Sequence, residues 1–278
     1  MQIKTLEIDG YKIRVATQRG RGDGPPLLLL NGIGANVELL EPLMSALNGI
    51  ETIAFDVPGT GGSAPRPRPY RLSGLARLAV QVLAELGHED QVDVLGVSWG
   101  GALAQQFAFK HPERCRRLIL AATTPGALMV PGAPTVLNKL FNPRRYKDAD
   151  HLARIAPDIY GGEMRHDPEL LRDYIDRLRP PHWLGYLHQQ LALLTWTSLP
   201  WLPLLRQPTL ILAGRDDPLV PLANARILAW LIPDARLEVI DDGHLFLLSS
   251  PERVAPLIRD FLAAPAGAQP SPRLKAAD

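Results

Sequence analysis

The residues most suited to chemistry surround a serine in the middle of the chain. Gly96, Ser98 and Gly100 form a G-x-S-x-G pattern between an apolar, β-rich run (92–97) and a helix-forming run (102–110). This pattern is typical of a nucleophilic serine at a tight, strained strand-to-helix turn, where larger neighbours would collide with adjacent backbone. The following helix would aim its N-terminal amides at an oxyanion formed there. We therefore predict that Ser98 is a nucleophile.

A nucleophilic serine needs a base, and the base needs an acid that orients it. Asp217 and His244 each lie in a loop just after a predicted strand, 208–213 and 236–240. The carboxyl ends of parallel strands form one edge of a sheet, so both side chains should lie near Ser98. The order Ser, Asp, His along the chain is that of the α/β-hydrolases. We predict a triad of Ser98, His244 and Asp217.

Other acids and histidines compete for these roles. Asp216 is the alternative acid, but Asp217 directly precedes a proline, which favours extended backbone, and we prefer it. Asp216 would then be solvated or cap its loop. Asp241 and Asp242 are too close in sequence to His244 to orient its ring, and we expect them to shape its loop. The remaining histidines lie in polar turns, at a helix end or in the middle of the chain: His88, His111, His151, His166, His182 and His188.

An oxyanion formed at Ser98 needs two backbone amides. One should come from the residue after the nucleophile, Trp99, and the other from the loop after the third strand. That loop contains Gly32 and Gly34, which would let the chain curl so that the amide of Ile33 faces the serine. We predict that the amides of Ile33 and Trp99 form the oxyanion hole.

A second glycine-rich segment, 58–63, suggests a phosphate-binding loop at first sight. It lacks the Gly-Lys-Ser/Thr ending and the spacing of a dinucleotide-binding unit, so we do not assign it that function. We expect Asp56 to accept hydrogen bonds from this turn and hold its shape. The triad chemistry needs no metal or cofactor, and we predict none.

Composition narrows the possible functions. The 278 residues include 30 Lys and Arg against 29 Asp and Glu, a formal net charge of +1 that gives no electrostatic reason to expect nucleic-acid binding. Cys115 is the single cysteine, which excludes an internal disulfide. The N-terminal residues lack the apolar segment of a signal peptide, and prolines interrupt the longest apolar stretch, 191–205. We expect a cytosolic protein without a membrane span.

Strand and helix patterns alternate along most of the chain. This alternation predicts an α/β fold with a mostly parallel, eight-stranded sheet flanked by helices, and a helical cap inserted after the sixth strand. The core would comprise 1–123 and 208–263, the cap 124–207, and a disordered tail 264–278. We call residues 124–207 the cap segment. The predicted strands are 3–8, 11–17, 27–31, 51–55, 92–97, 117–122, 208–213 and 236–240, and the core helices are 37–48, 73–86, 101–111, 222–231 and 251–263.

The cap segment is rich in aromatic residues and carries helical patterns near 134–141, 148–157, 168–178 and 183–195. Most of these apolar side chains must pack the segment onto the core, and a few could line an acyl pocket or contact a hydrophobic surface. As substrate contacts we select Trp183 and Trp196 in this segment, together with Trp99 beside the serine.

Five runs together resemble one family: 31–36, 53–59, 96–107, 156–162 and 240–247. They are similar to the intracellular medium-chain-length polyhydroxyalkanoate (PHA) depolymerases, and the resemblance covers about residues 5–262, including the cap segment. It implies a serine hydrolase on cytoplasmic storage granules that cleaves poly(3-hydroxyalkanoate) to oligomers or monomers, with the family's nucleophile, acid and base matching Ser98, Asp217 and His244. Its partners would be a polyester granule surface or a hydrophobic ester. Arg215, the run 65–69 and the tail depart from the family pattern.

Two other functions remain open on the sequence. The same triad serves carboxylesterases and lipases that act on small soluble or lipid esters. A granule-associated binding protein with a vestigial site is a further alternative, against which the complete set of serine, acid, base and loop argues. The sequence does not predict the oligomeric state.

Overall fold

The computed structural model describes residues 1–22 and 24–265, and its centre is one eight-stranded sheet. The strands lie in the order β1-β2-β4-β3-β5-β6-β7-β8. β1 pairs antiparallel with β2, and β2 with β4, whereas the other neighbours are parallel. The predicted fold class is confirmed. The strands are β1 Gln2–Ile8, β2 Tyr11–Gln18, β3 Leu27–Leu30, β4 Thr52–Phe55, β5 Val92–Val97, β6 Cys115–Ala121, β7 Thr209–Gly214 and β8 Ala235–Ile240.

The helices surround the sheet or occupy the segment between β6 and β7. Short 3-10 helices lie at Val37–Leu40, Pro143–Tyr146, Gly162–Arg165 and Leu202–Leu204. The α-helices are α1 Glu41–Ala46, α2 Leu72–Glu85, α3 Trp99–Lys110, α4 Pro134–Phe141, α5 Ala149–Tyr160, α6 Pro168–Arg177, α7 Trp183–Leu194, α8 Leu222–Leu231, α9 Phe246–Ser249 and α10 Pro251–Ala263.

Helices cover both faces of the sheet because its central strands have no polar face. β3, β4, β5 and β7 are buried at every position, as parallel strands inside an α/β protein are. Side chains of α2, α3 and α8 form one apolar layer, which includes Leu75, Leu103 and Leu228. Helices α1 and α10 form the other layer, with Leu43 and Ile258. The carboxyl ends of the parallel strands lie together at one edge of this sheet.

One predicted helix was wrong. The expected helix 37–48 is divided into the 3-10 helix Val37–Leu40 and α1, Glu41–Ala46. Pro42 lies in the first turn of α1 and has no backbone N–H, so it cannot donate to a preceding turn as a continuous helix requires.

The segment between β6 and β7 contains α4, α5, α6 and α7. Its apolar side chains form a third cluster that includes Leu152 and Ile155, together with Leu219 from the loop after β7 and Leu248 from α9. The division of the chain at 123/124 and 207/208 stays a prediction. From residue 266 onward, the predicted tail lies outside the described residues. None of the helices in the described part of the chain has the length and apolar character needed to cross a bilayer.

Candidate active site

Ser98 occupies a strained turn between β5 and α3. Its backbone has φ 55° and ψ −119°, a left-handed conformation that is costly for a residue with a Cβ. The amide of Ser98 donates to the carbonyl of Ala121 (2.8 Å), and the Thr123 hydroxyl donates to the Ser98 carbonyl (2.6 Å). A Cβ at position 100 would overlap the Leu30 carbonyl, so only glycine fits there. These contacts hold the serine at the apex of the turn.

His244 and Asp217 complete a hydrogen-bonded chain with Ser98. The Nε2 atom of His244 lies 3.1 Å from Ser98 Oγ, and Nδ1 lies 2.7 Å from Asp217 Oδ2. Because a carboxylate accepts, we assign the ring proton to Nδ1, which leaves Nε2 free to accept from the serine. The side chains of His244 and Asp217 are almost completely buried, and this low-dielectric setting strengthens the interaction between them. The arrangement fits a serine activated by an oriented base.

The two oxygens of Asp217 have different partners. Oδ1 accepts from the amides of Leu219 (2.9 Å) and Val220 (2.8 Å), and Oδ2 faces the imidazole. The loop after β7 therefore holds the carboxylate in one orientation. The amide of His244 donates to the carbonyl of Tyr160 (2.6 Å), the last residue of α5. The cap segment thus positions the loop that carries the histidine.

The competing acids bind loops and do not contact the imidazole. Asp216 is half-exposed and accepts from the amide of Gly162 (2.9 Å) and from Arg165. Asp242 accepts from the amide of Gly243 (2.6 Å) and from the hydroxyls of Ser249, at the end of α9, and Ser250, just before α10. Both carboxylates shape the loops around His244, as the sequence predicts.

Of the two residues predicted for the oxyanion hole, Ile33 lines the same cavity as Ser98, and Trp99 follows Ser98 in the chain. The amide of Gly32 donates to its neighbour's side chain, Asn31 Oδ1 (2.8 Å), and that of Gly34 donates to Gln189 Oε1 (2.8 Å). Between them, the Ile33 amide makes no hydrogen bond with any described residue. Trp99 is the first residue of α3, where an amide has no partner within the helix. Both amides are therefore free to donate to a ligand, and their catalytic role stays a prediction.

A cavity of about 80 Å³ lies between the core and the cap segment, next to Ser98 and His244. Its lining is mainly apolar, as is usual for a small-molecule site. The cap segment contributes Leu140, Arg145, Tyr146, Tyr160, Tyr174 and Leu178. From the core come Ile33, in the loop after β3 that we call the oxyanion loop after its predicted role, and apolar side chains that include Leu39, Leu219 and Leu248.

None of the three tryptophans selected from the sequence lines this cavity. The indole of Trp99 is buried and donates to the carbonyl of Gln189 in α7 (2.9 Å). Trp196 donates to Gln106 Oε1 in α3 (2.7 Å). Trp183 is 68% exposed on α7. The orientations of these tryptophan side chains depend on how α7 packs on α3. The local sequence does not indicate that packing.

Sequence reasoning missed Arg145 and the tyrosines around it as cavity residues. Two arginines, Arg144 and Arg145, are adjacent, and the pattern around them does not indicate that one is buried and the other exposed. The expected structural role of Asp56 is confirmed, since it accepts from the amides of Gly62 (3.0 Å) and Val37 (2.9 Å). Cys115 is buried at the start of β6.

Comparison with known proteins identifies the family. The family model for the alpha/beta hydrolase fold matches residues 25–251. A poly(3-hydroxyalkanoate) depolymerase of Ectopseudomonas oleovorans is 54% identical over 260 residues, which cover 93% of this chain and 92% of that protein. The chain belongs to the poly(3-hydroxyalkanoate) depolymerase family of α/β hydrolases. As a member of this family it is a carboxylic ester hydrolase.

More distant α/β hydrolases share the fold. A 2-hydroxymuconate semialdehyde hydrolase of Pseudomonas putida is 31% identical, over 91% of this chain and 92% of that protein. The crystal structure of an enol-lactonase from Burkholderia xenovorans LB400 superimposes with a TM-score of 0.81 at 22% identity, covering 94% of this chain and all of the other. A thermophilic esterase from Thermogutta terrifontis gives a TM-score of 0.77 at 25% identity, over 94% of this chain and 98% of that one.

Proposed function

We propose that this hydrolase cleaves the ester bonds of intracellular medium-chain-length poly(3-hydroxyalkanoate), releasing hydroxyalkanoate oligomers or monomers. The hydrogen-bonded chain from Asp217 through His244 to Ser98, at the edge of an apolar cavity, is the observation that carries the proposal. The 54% identical relative named as a poly(3-hydroxyalkanoate) depolymerase supports this substrate class. An apolar lining suits the alkyl side chains of such a polyester.

The reaction proceeds by two acyl transfers. His244 removes the proton of Ser98 as Oγ attacks the ester carbonyl, while Asp217 stabilises the imidazolium that forms. The amides of Ile33 and Trp99 donate to the oxyanion, an effect worth about 3–4 kcal/mol for one donor. The alcohol end leaves with the proton from His244. Water, activated by the same base, then hydrolyses the acyl-enzyme and frees Ser98.

The surface of α7 is suited to adsorption on a polyester granule. Four large apolar side chains at helical spacing remain exposed along one side of this helix: Trp183, Leu187, Leu191 and Leu194. Exposed apolar side chains spaced along one side of a helix in this way are typical of an interaction site. We call these four residues the α7 patch, and propose that it contacts the granule in the cytoplasm.

A second candidate is a carboxylesterase that acts on small soluble or lipid esters. The cavity favours it in one respect, because it is small, about 80 Å³. The relatives include a pimeloyl-[acyl-carrier protein] methyl ester esterase, and the solved structures with the same fold include an esterase. A binding protein with a vestigial site is not favoured, since the serine, base and acid are in hydrogen-bonding contact.

Hydrolysis of a medium-chain polyester latex, measured beside p-nitrophenyl octanoate, tests the proposal. We expect the wild-type protein to act on both and to release hydroxyalkanoates detectable by mass spectrometry. Ser98→Ala should lower both rates by on the order of 10⁴-fold or more. Hydrolysis of the nitrophenyl ester alone would contradict the polyester function and favour the carboxylesterase.

A further inference from the structure

Arg145 is a buried cation in the wall of the cavity. It lies in the 3-10 helix Pro143–Tyr146 of the cap segment and is only 3% exposed. Ser98 and His244 line the same cavity. The neighbouring Arg144 points to solvent and pairs with Asp148 (2.8 Å). Arg144 is therefore an ordinary surface residue, whereas the side chain of the adjacent Arg145 is buried in the wall of the site.

No carboxylate of the described residues lies within 4.0 Å of the Arg145 guanidinium. Nη1 donates to the hydroxyl of Tyr160 (3.0 Å) and Nη2 to that of Tyr146, whereas Nε is buried without a partner. Of the two other buried arginines, Arg14 pairs with both Glu38 and Asp56, whereas Arg117 has no carboxylate within 4.0 Å among the described residues but lies outside the cavity. A buried charge is normally paired, so the missing anion of Arg145 calls for an explanation.

The surrounding tyrosines do not supply that anion. Burial raises the pKa of Tyr146 and Tyr174, so their phenols stay protonated near neutral pH. The guanidinium lies over the rings of Tyr146 (4.2 Å) and Tyr186 (5.8 Å), which gives it cation–π contacts but no counter-charge. The site is thus a neutral aromatic cage around a permanent positive charge.

Two tyrosines connect this charge to the catalytic groups. Tyr146, which accepts from Arg145, donates to the carbonyl of Ile33 in the oxyanion loop (3.2 Å). Tyr160, the other acceptor, stacks on the imidazole of His244 with ring centroids 6.3 Å apart. Each tyrosine thus contacts the guanidinium of Arg145 and also one residue next to Ser98, either Ile33 or His244. A ligand at Ser98 lies one side chain away from the charge.

We propose that Arg145 binds a carboxylate of the substrate, and that this carboxylate is the free carboxyl end of a hydroxyalkanoate chain. The inference rests on the proposed polyester function. A guanidinium binds carboxylates through paired, charge-assisted hydrogen bonds, and Arg145 lines the cavity beside Ser98 without an acid of its own. The enzyme would accordingly select the carboxyl terminus of the polymer or of its oligomers, and release the terminal unit.

The chemistry of the terminal ester agrees with this arrangement. In the last unit, the carboxylate is separated from the ester oxygen by two carbons, so the leaving group is itself a 3-hydroxyalkanoate. Ser98 Oγ bonds to the carbonyl carbon of the preceding unit, and the bond to the ester oxygen breaks. That oxygen takes the proton from His244, and the 3-hydroxyalkanoate leaves with its carboxylate on Arg145. Water then cleaves the acyl-enzyme and releases the chain, shortened by one unit and with a new carboxyl end.

Inhibition by a product-like acid tests the carboxylate site without any polymer. The substrate is p-nitrophenyl octanoate, and the inhibitors are 3-hydroxyoctanoate and the uncharged 3-hydroxyoctanamide. We expect the acid to inhibit the wild-type enzyme on the order of tenfold more strongly than the amide, as one strong charge-assisted contact implies. Equal inhibition by the two compounds in the wild-type enzyme would overturn the proposal, whether or not any variant folds.

Variants at two adjacent positions assign the effect to one side chain. Arg145→Met should remove the difference between acid and amide, and Arg145→Lys should keep part of it. Arg144→Met, at the exposed neighbour, should leave it unchanged. A full preference for the acid in a folded Arg145→Met variant would overturn the assignment.

Two dimers of 3-hydroxyoctanoate distinguish chain-end selection from binding of a free acid. One keeps its carboxyl end and the other carries it as a methyl ester. We expect kcat/KM for the internal ester to be on the order of tenfold higher for the free acid. Equal values would overturn chain-end selection. If neither dimer is cleaved while the acid still inhibits, the polyester function fails and the carboxylate site stands.

Discussion

The ring of Tyr160 lies nearly parallel to the imidazole of His244, and the carbonyl of Tyr160 accepts from the His244 amide at 2.6 Å. Tyr160 ends α5 in the cap segment, and His244 follows β8 in the core. The two parts of the chain therefore meet directly at the proposed catalytic base. A substitution that displaces this contact should also displace His244 Nε2 relative to Ser98 Oγ. The importance of the contact can therefore be tested by mutation.

Gly243→Ala should reduce activity far more than it reduces stability. A Cβ at this position would overlap the carbonyl of Tyr160, so the loop that carries His244 must shift. A displacement of about 1 Å in a catalytic group can lower the rate on the order of 10²-fold. The measurement is kcat/KM on p-nitrophenyl octanoate, together with the denaturant midpoint.

Gly74→Ala is the matched control for this change. Gly74 lies in α2, and a Cβ there would have no atom within 4 Å. The variant should keep wild-type kinetics and gain about 0.5–1 kcal/mol, because alanine favours the helix. If Gly243→Ala behaved in the same way as this control, the contact with Tyr160 would not position the base.

Asp217→Asn should lower kcat on the order of 10³- to 10⁴-fold, because an amide cannot stabilise the imidazolium and favours the wrong tautomer. The adjacent Asp216→Asn should change kcat less than about threefold, because Asp216 contacts the Gly162 amide and Arg165 but not His244. Steady-state kinetics on p-nitrophenyl octanoate decide between the two acids. A large loss at position 216 with little at 217 would reverse the assignment.

Adsorption to polyester should depend on the α7 patch. Trp183→Ser removes its largest exposed side chain and should weaken binding to a medium-chain polyester latex by several-fold, with kcat on p-nitrophenyl octanoate unchanged. Trp230→Ser is the control, because Trp230 is also highly exposed (80%) but lies on α8, outside the cap segment. Sedimentation of the latex measures the bound fraction. Equal adsorption of wild-type protein and both variants would exclude the patch as the granule-binding surface.

Glu38→Gln should change how stability responds to acid. Burial opposes the charge of Glu38, but hydrogen bonds from Arg14 and Asn36 outweigh it and lower the pKa of Glu38 to about 2. The folded state therefore binds this proton less readily than the unfolded chain does. The resulting stabilisation is present above about pH 4.5 and is lost as the pH falls towards 2.

The lowered pKa of Glu38 contributes at most about 3 kcal/mol to the free energy of unfolding, because one pKa unit corresponds to about 1.36 kcal/mol. Urea unfolding between pH 7 and pH 3 should show a smaller loss of stability in Glu38→Gln than in the wild-type protein. Glu89→Gln, at an exposed position, should follow the wild-type curve. Parallel curves for wild type and Glu38→Gln would contradict the assigned contribution.

Most of the elements were predictable because their signals are local. Each predicted strand lies within two residues of the observed bounds, since buried runs and flanking turns leave few alternatives. The helix expected at 37–48 failed where Pro42 interrupts the hydrogen bonding, which apolar periodicity alone does not reveal. The short helix α9 between His244 and α10 was not predicted either, because four residues are too few for a periodic pattern.

By itself, the sequence determined the α/β alternation, the strained serine turn and the order of the three candidate catalytic residues. These depend on steric and periodic rules that act over a few residues. Only the tertiary structure decided that Asp217 and not Asp216 faces His244, that Trp99 turns towards α7, and that Arg145 is buried without an acid. Those outcomes depend on packing between segments far apart in the chain, as for Ser98 and His244, 146 positions apart, and local sequence does not encode which side chain meets which.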